Sequence, residues 1–159
     1  GYRRPAQPVA TPEAIKAIEE AQIIVWGPGS LYTSMLPNLL IKDITDSIVS
    51  SGAIKVYVCN IMTQHGETDG YSASDHIKMI TNHSHPRIFD YCIVNIRGIP
   101  NNMLKRYTQE NSYPVVNDIE NIEKMGYRVI KEDVLFVEDV LRHDHSKLAK
   151  IIFGFMEEI

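Results

Sequence analysis

Short apolar runs alternate with helix-like segments along nearly the whole chain, and this alternation restricts the fold more than any other feature. The runs "QIIVW" (22–26), "KVYVCN" (55–60), "FDYCIVN" (89–95) and "YRVIKEDVL" (127–135) are rich in β-branched and aromatic residues. Runs this short and this apolar suit strands buried on both faces. Helix-like stretches separate them, so two-residue hairpins cannot join successive runs. A parallel sheet with helices on its faces follows, and with it an α/β fold.

The punctuation between the runs gives element boundaries. "TPEAIKAIEEA" has Thr11 as N-cap, Pro12 at the first helical position, and Ile15 and Ile18 on one face. A helical stretch over 31–50 should break at Pro37, because the residue before a proline, Leu36, is pushed out of the α region. Ser72 and Asp75 have the spacing of a capping box for a helix over 72–82. A helix over 101–111, a short strand "YPVVND" and a helix over 119–126 ended by Gly126 come next. Asp144 then caps a closing amphipathic helix, "HDHSKLAKIIFGFMEEI". No repeat or linker interrupts 11–159, which reads as a single α/β domain. Residues 1–10, "GYRRPAQPVA", lack an initiating methionine and read as an N-terminal arm or the start of a fragment.

Composition excludes several classes. A chain of 159 residues with 44% hydrophobic and 23% charged residues can bury one core and is not of disordered composition. A net charge of −4 argues against binding a nucleic acid polymer, although it leaves a local anion site open. No apolar stretch approaches the roughly 20 residues of a membrane span, and no signal-peptide pattern opens the chain. Cys59 and Cys92 lie inside strand-like runs and read as buried thiols of a reducing compartment, hence a cytoplasmic protein.

In an open parallel sheet, ligands gather outside the carboxyl ends of the strands, where the strand order reverses. Three loops leave such ends, at 27–34, 60–72 and 95–101, and all are rich in small, amide or hydroxyl residues. In the first, Gly27 and Gly29 clear the backbone, Pro28 stiffens the turn, and Ser30, Thr33 and Ser34 add donors ahead of a helix N-terminus. This is either an anion cradle or a plain strand-to-helix turn. It is not a Walker A loop, a dinucleotide fingerprint or a nucleophile elbow. The second loop offers Asn60, Thr63, Gln64, Glu67 and Thr68. Tyr107 reads as a base-stacking ring or as a half-buried helix tyrosine, and Arg142 as a phosphate fork or an exposed cation. The histidines of "NHSHP" and "RHDH" lack zinc spacing and read as surface loop residues, so no metal site is assigned. Among the carboxylates, Glu67, Asp69 and Asp75 are the base or Mg2+ candidates if the protein is catalytic; no other cofactor is expected.

Three blocks, "AQIIVWGPGSLYTSMLPNLL", "KVYVCNIMTQHGETDGYSASDH" and "LRHDHSKLAK", resemble the bacterial gluconeogenesis factor family, which is related to 2-phospho-L-lactate transferase. The resemblance implies a Rossmann-like three-layer α/β/α domain with a mostly parallel sheet. It further implies a regulatory protein that binds a nucleotide sugar, a UDP-N-acetylhexosamine. The family is tied to gluconeogenic growth, cell-wall precursor supply and cell shape, with a protein partner in cell-wall synthesis. By that likeness Gly27, Gly29, Ser30 and Thr33 hold a phosphate, and Asn60, Thr63 and Gln64 line the same cleft. Tyr107 and Arg142 become base-side and phosphate-side contacts. Edge strands and the C-terminal helix are compatible with a homodimer. Two departures stand out. The "GGGTG"-like opening unit of the family does not occur, so the chain resembles its C-terminal portion. Ser30-Leu31-Tyr32 also replaces the transferase Ser-Asn-Pro, which leaves phosphotransfer as the alternative function.

Overall fold

Four parallel strands form the spine of the molecule in a computed structural model that describes residues 9–27, 29–137 and 141–157. They are β1 (Ile23–Trp26), β2 (Ile54–Val58), β3 (Tyr91–Asn95) and β4 (Arg128–Glu132), lying side by side in that order. Val25 pairs with Val56, Val56 with Tyr91, and Cys92 with Val129. The central strands β2 and β3 are largely buried, while the edge strands β1 and β4 are only partly covered. Burial on both faces explains why the central runs are almost continuously apolar.

Side chains alternate across the sheet and sort into two cores. Tyr57, Cys59, Cys92 and Val94 face a large cluster. It is built from the segment Leu31–Met35, α2 (Leu36–Leu39), α3 (Lys42–Ser50), α4 (Ala73–Asn82) and α6 (Ile119–Lys124). Tyr57 stacks on Phe89 with ring centroids 5.1 Å apart. α1 (Pro12–Glu20) packs beside α3. Val56, Val58 and Ile93 face the other way, onto Val134 and onto Leu148 and Ile151 of α7 (His145–Glu157). The helices α2, α3, α4 and α6 thus cover one face and α7 the other, as crossovers of one hand between sequential parallel strands require. The result is the expected three-layer, Rossmann-like α/β arrangement. Among the described strands the order does not reverse, so the carboxyl-end loops share a rim without a switch point.

Local signals hold at the helix starts. Thr11 Oγ1 accepts the Ala14 N–H at 3.2 Å, and Ser72 and Asp75 form the full reciprocal box. Asp144 Oδ1 accepts the Lys147 N–H at 3.1 Å. Pro37 behaves differently from expectation. Leu36 is helical, and the break falls instead at Leu40 and Ile41, before α3. The preceding residues Leu31–Met35 form a wide π-turn, closed by the Met35 N–H on Ser30 O at 3.2 Å. Pro37 thus sits in the first turn of α2, where its missing N–H costs little. "YPVVND" is not a sheet strand: it makes a single antiparallel bridge, Met62 to Pro114. The last apolar run also ends early, at Glu132. Leu135–Val137 (β5) instead pairs antiparallel with Leu141–His143 (β6). α5 (Asn101–Gln109) completes the set.

Both cysteines are free and buried, and burial pushes both thiols up, Cys92 to about 12. Neither can supply a thiolate near neutrality. Among the described residues no helix is long and apolar enough to cross a membrane.

His76 is 1% exposed, donates Nδ1–H to Ser72 O at 2.8 Å, and keeps Nε2 buried without a partner among the described residues. Burial lowers its pKa, outweighing the Ser72 carbonyl and the nearby Asp75. The unfolded chain takes up a proton on this imidazole near pH 6.5 while the folded chain resists it, so stability is lost as pH falls below about 6.5. Thermal melts between pH 7.5 and 5.5 should show a falling midpoint, with a shallower slope for His76→Asn. An unchanged slope would remove His76 as the cause.

Candidate functional site

The chain leaves β1 through Gly27, whose φ is +75°. A Cβ there would stand 3.0 Å from Val58 O, so both the conformation and the close approach to β2 require glycine. Asn60, just past β2, then ties the first two loops together. Its Nδ2 donates to Gly29 O at 3.1 Å, and its Oδ1 accepts the Tyr57 hydroxyl at 3.2 Å. Because Gly29 O can only accept, the orientation of the amide is fixed.

Thr63 anchors the second loop. It is 4% exposed, and its N–H donates to Tyr113 O at 2.7 Å. Its Oγ1 accepts the Tyr113 N–H at 2.9 Å, and its carbonyl accepts the Ser112 hydroxyl at 2.6 Å. Farther along, Thr68 Oγ1 accepts the Gln64 N–H at 2.9 Å and Asp69 Oδ2 the Gly66 N–H at 2.7 Å. The long loop is therefore internally bonded and not a slack connection.

The β5–β6 hairpin closes the third side. His143 Nε2 lies 3.1 Å from Cys59 O, which makes Nε2 the donor, and the Leu141 N–H donates to the Tyr107 phenol oxygen at 2.9 Å. Burial lowers the His143 pKa; the Cys59 carbonyl opposes this and His145 adds to it. The imidazole is neutral at pH 7, with Nδ1 left as an acceptor.

Between these segments lies a cleft of about 350 Å³ at the carboxyl ends of β1 and β2. Gly29, Ser30, Asn60, Thr63 and Gln64, all expected from sequence, line it together. Gly27 stands behind them as the turn that admits the loop. Tyr107 does not line the cleft; its phenol holds the hairpin that does. The side chains of Thr33 and Arg142 lie outside the described residues. Ser112, Leu141 and His143 also line the cleft and were not singled out from sequence. His143 was read as a surface residue, and only its place inside the "RHD" block pointed to it.

The electrostatics of the cleft are mixed. The π-turn begins at Leu31, and the first N–H groups of any helical turn lack partners within it. Among the described residues no carbonyl takes up the Gly29 N–H, and this favours an anion. Yet Ser30 Oγ donates to Glu67 Oε2 at 2.9 Å, so a carboxylate already stands at that entrance. Two unit charges about 4 Å apart repel by about 1–4 kcal/mol between bulk-water and surface dielectric values. Among the described residues no three His, Cys, Asp or Glu side chains gather as a metal site. A Mg2+ ion would find Glu67 here and take its other ligands from a bound diphosphate and water.

A larger depression, about 800 Å³, lies at the amino ends of the strands. Several of its polar groups are engaged in the fold: Lys55 Nζ donates to Ser51 O, Asp90 Oδ2 accepts the Lys55 N–H, and the Tyr127 hydroxyl donates to Pro86 O. Size alone does not make it the site.

Residues 1–135 match the family described as 2-phospho-L-lactate transferase CofD. A gluconeogenesis factor from Bacillus subtilis is 42% identical over 158 residues, covering 99% of this chain and 50% of that protein. Another from Halalkalibacterium halodurans is 45% identical over 141 residues, covering 88% of this chain and 44% of that protein. The crystal structure of a UPF0052-family protein from Bacillus halodurans superposes with a TM-score of 0.91 at 42% identity, over 94% of this chain and 48% of that one. The chain spans about half the length of these relatives.

Two variants test the geometry. Glu67→Gln keeps an acceptor for Ser30 and removes the charge, so affinity for inorganic pyrophosphate in metal-free buffer should rise several-fold by titration calorimetry. A fall would mean that the carboxylate assists the anion. Gly27→Ala should lower unfolding stability by about 1–3 kcal/mol in denaturant melts, from left-handed strain and the contact with Val58 O.

Proposed function

We propose that this chain, which belongs to the gluconeogenesis factor family, binds the diphosphate of a nucleotide sugar in the cleft between β1, β2 and the β5–β6 hairpin. The ligand class is a UDP-N-acetylhexosamine, and the protein is a cytoplasmic regulator that passes its bound state to a partner in cell-wall synthesis. The observation that carries the reading is the convergence of Gly29, Ser30, Asn60 and Gln64 on one rim. Gln64 and the Gly29 N–H are neutral donors of the kind that hold phosphate oxygens without a fixed counter-charge.

Regulation is taken as the first reading because His143 spends its Nε2 proton on Cys59 O and is not joined to the Ser30 hydroxyl as a nucleophile–base pair. The Ser30 hydroxyl on the Glu67 carboxylate is a hydroxyl–base contact and belongs to the second reading. The match to the transferase family keeps phosphoryl transfer as a second reading, with Mg2+ on the diphosphate. Magnesium-dependent release of nucleotide in the presence of a hydroxy acid would favour it.

Titration of the full chain with UDP-N-acetylglucosamine should give saturable heat, and ligand at 100 times its dissociation constant should add about 2.7 kcal/mol of stability. Ser30→Ala should weaken binding by about 0.5–1.5 kcal/mol, one hydrogen bond's worth. No heat and no thermal shift at millimolar ligand would end the proposal.

A further inference from the structure

A second cleft, of about 360 Å³, opens at the carboxyl ends of β2 and β3 and shares Asn60 and Ile61 with the first. Its character differs. Ile96, Ile99 and Leu104 enter from the β3–α5 connection and α5, and Ile61 from the β2 loop. Ile96 is 59% exposed and, with Ile61, Ile99 and Leu104, makes this lining more apolar than that of the first cleft. The amides nearby are used unequally. Asn95 is consumed by the fold: its Oδ1 accepts the N–H groups of Arg97 and Val134, and its Nδ2 donates to Arg97 O. Asn117 Nδ2 donates once, to Asn95 O at 2.8 Å, which fixes the amide and leaves Oδ1 and the second N–H uncommitted among the described residues.

We infer that this second cleft is a nucleobase subsite, taking the planar ring of a nucleotide whose phosphates lie against Gly29 and Ser30. The inference rests on the nucleotide-binding reading above and deepens it. A base presents two apolar faces and a polar edge, which suits isoleucine and leucine surroundings with the Asn117 amide and the partly engaged Arg97 guanidinium at the edge. A sugar ring carries hydroxyls around its whole rim, more than these two groups can pair. The continuity of the clefts at Asn60 and Ile61 lets one ligand occupy both. Asn117, with an acceptor and a donor to offer, is the specificity-determining residue, and it matches the neighbouring N–H and C=O of a uracil edge.

The test titrates the full chain with two probes in metal-free buffer, UDP and inorganic pyrophosphate. Ile96→Ser alters an exposed side chain and should leave the melting temperature within a degree or two; Asn117→Ala is the second variant. Each should weaken UDP about tenfold and leave pyrophosphate unchanged. UDP binding at wild-type strength in both variants overturns the base subsite while the diphosphate cleft stands. Wild-type affinity for UDP no tighter than for pyrophosphate overturns it as well. Wild-type protein that binds neither probe overturns the nucleotide reading and this one together.

Discussion

Asn60 is the joint on which the candidate site depends. A parallel sheet ends in a row of loops with no backbone ladder between them, so something other than the sheet must set their spacing. Here one amide does so. Its Oδ1 accepts a hydrogen bond from the buried Tyr57 phenol and its Nδ2 donates one to the Gly29 carbonyl, so the glycine loop is referenced to the core and not to solvent. Tyr57 is itself fixed by stacking on Phe89, which in turn makes an edge contact with Tyr127 near the other end of the sheet. The position of a backbone carbonyl beside the cleft is thus set by aromatic packing well inside the molecule.

A second property arises from the way the loops are secured. Each of the cleft's sides is held by a different chemistry: an amide bridge for the first loop, a backbone clip around Thr63 for the second, and an imidazole and a phenol for the hairpin. Most of the polar groups nearest the core are spent on these joints. Among the described residues that line the cleft, the Gly29 N–H and the Gln64 side-chain amide are not spent on these joints, and Ser30 donates to Glu67 at the entrance. A site of this kind recognises shape and hydrogen-bonding pattern more than net charge. That agrees with a chain whose overall charge is −4.

The sheet was legible because its central strands are buried on both faces and so are apolar at nearly every position. Caps at Thr11, Ser72 and Asp144 were legible because each is a local bond between residues three apart. The features hidden in the sequence are non-local or depend on backbone class. "YPVVND" has strand-like residues, but its hydrogen bonds go to the 61–63 loop instead of to the sheet. The β5–β6 pairing was absorbed into the preceding apolar run because β5 is only three residues long. Of the seven expected site residues whose side chains are described, five share the cleft, since loops at strand ends are easily placed. Tyr107, read either as a base-stacking ring or as a half-buried helix tyrosine, sits half-buried in α5 and braces the hairpin, while His143, read as a surface residue, lines the cleft. Only the fold brings His143 to Cys59, 84 positions earlier in the chain.

The π-turn at Leu31–Met35 carries one residue more per turn than an α-helix would, and this makes the segment's length as significant as its composition. Removing one residue would let the segment relax to the commoner geometry while the downstream helix α2 keeps nearly its present phase, because the wide turn already absorbs the extra residue. Leu36 and Leu39, now 5% and 2% exposed, would stay in the core. A deletion inside α2 itself would instead turn everything after it by about 100°. The segment is thus the one stretch of this helical path where a single-codon deletion leaves the packing in register.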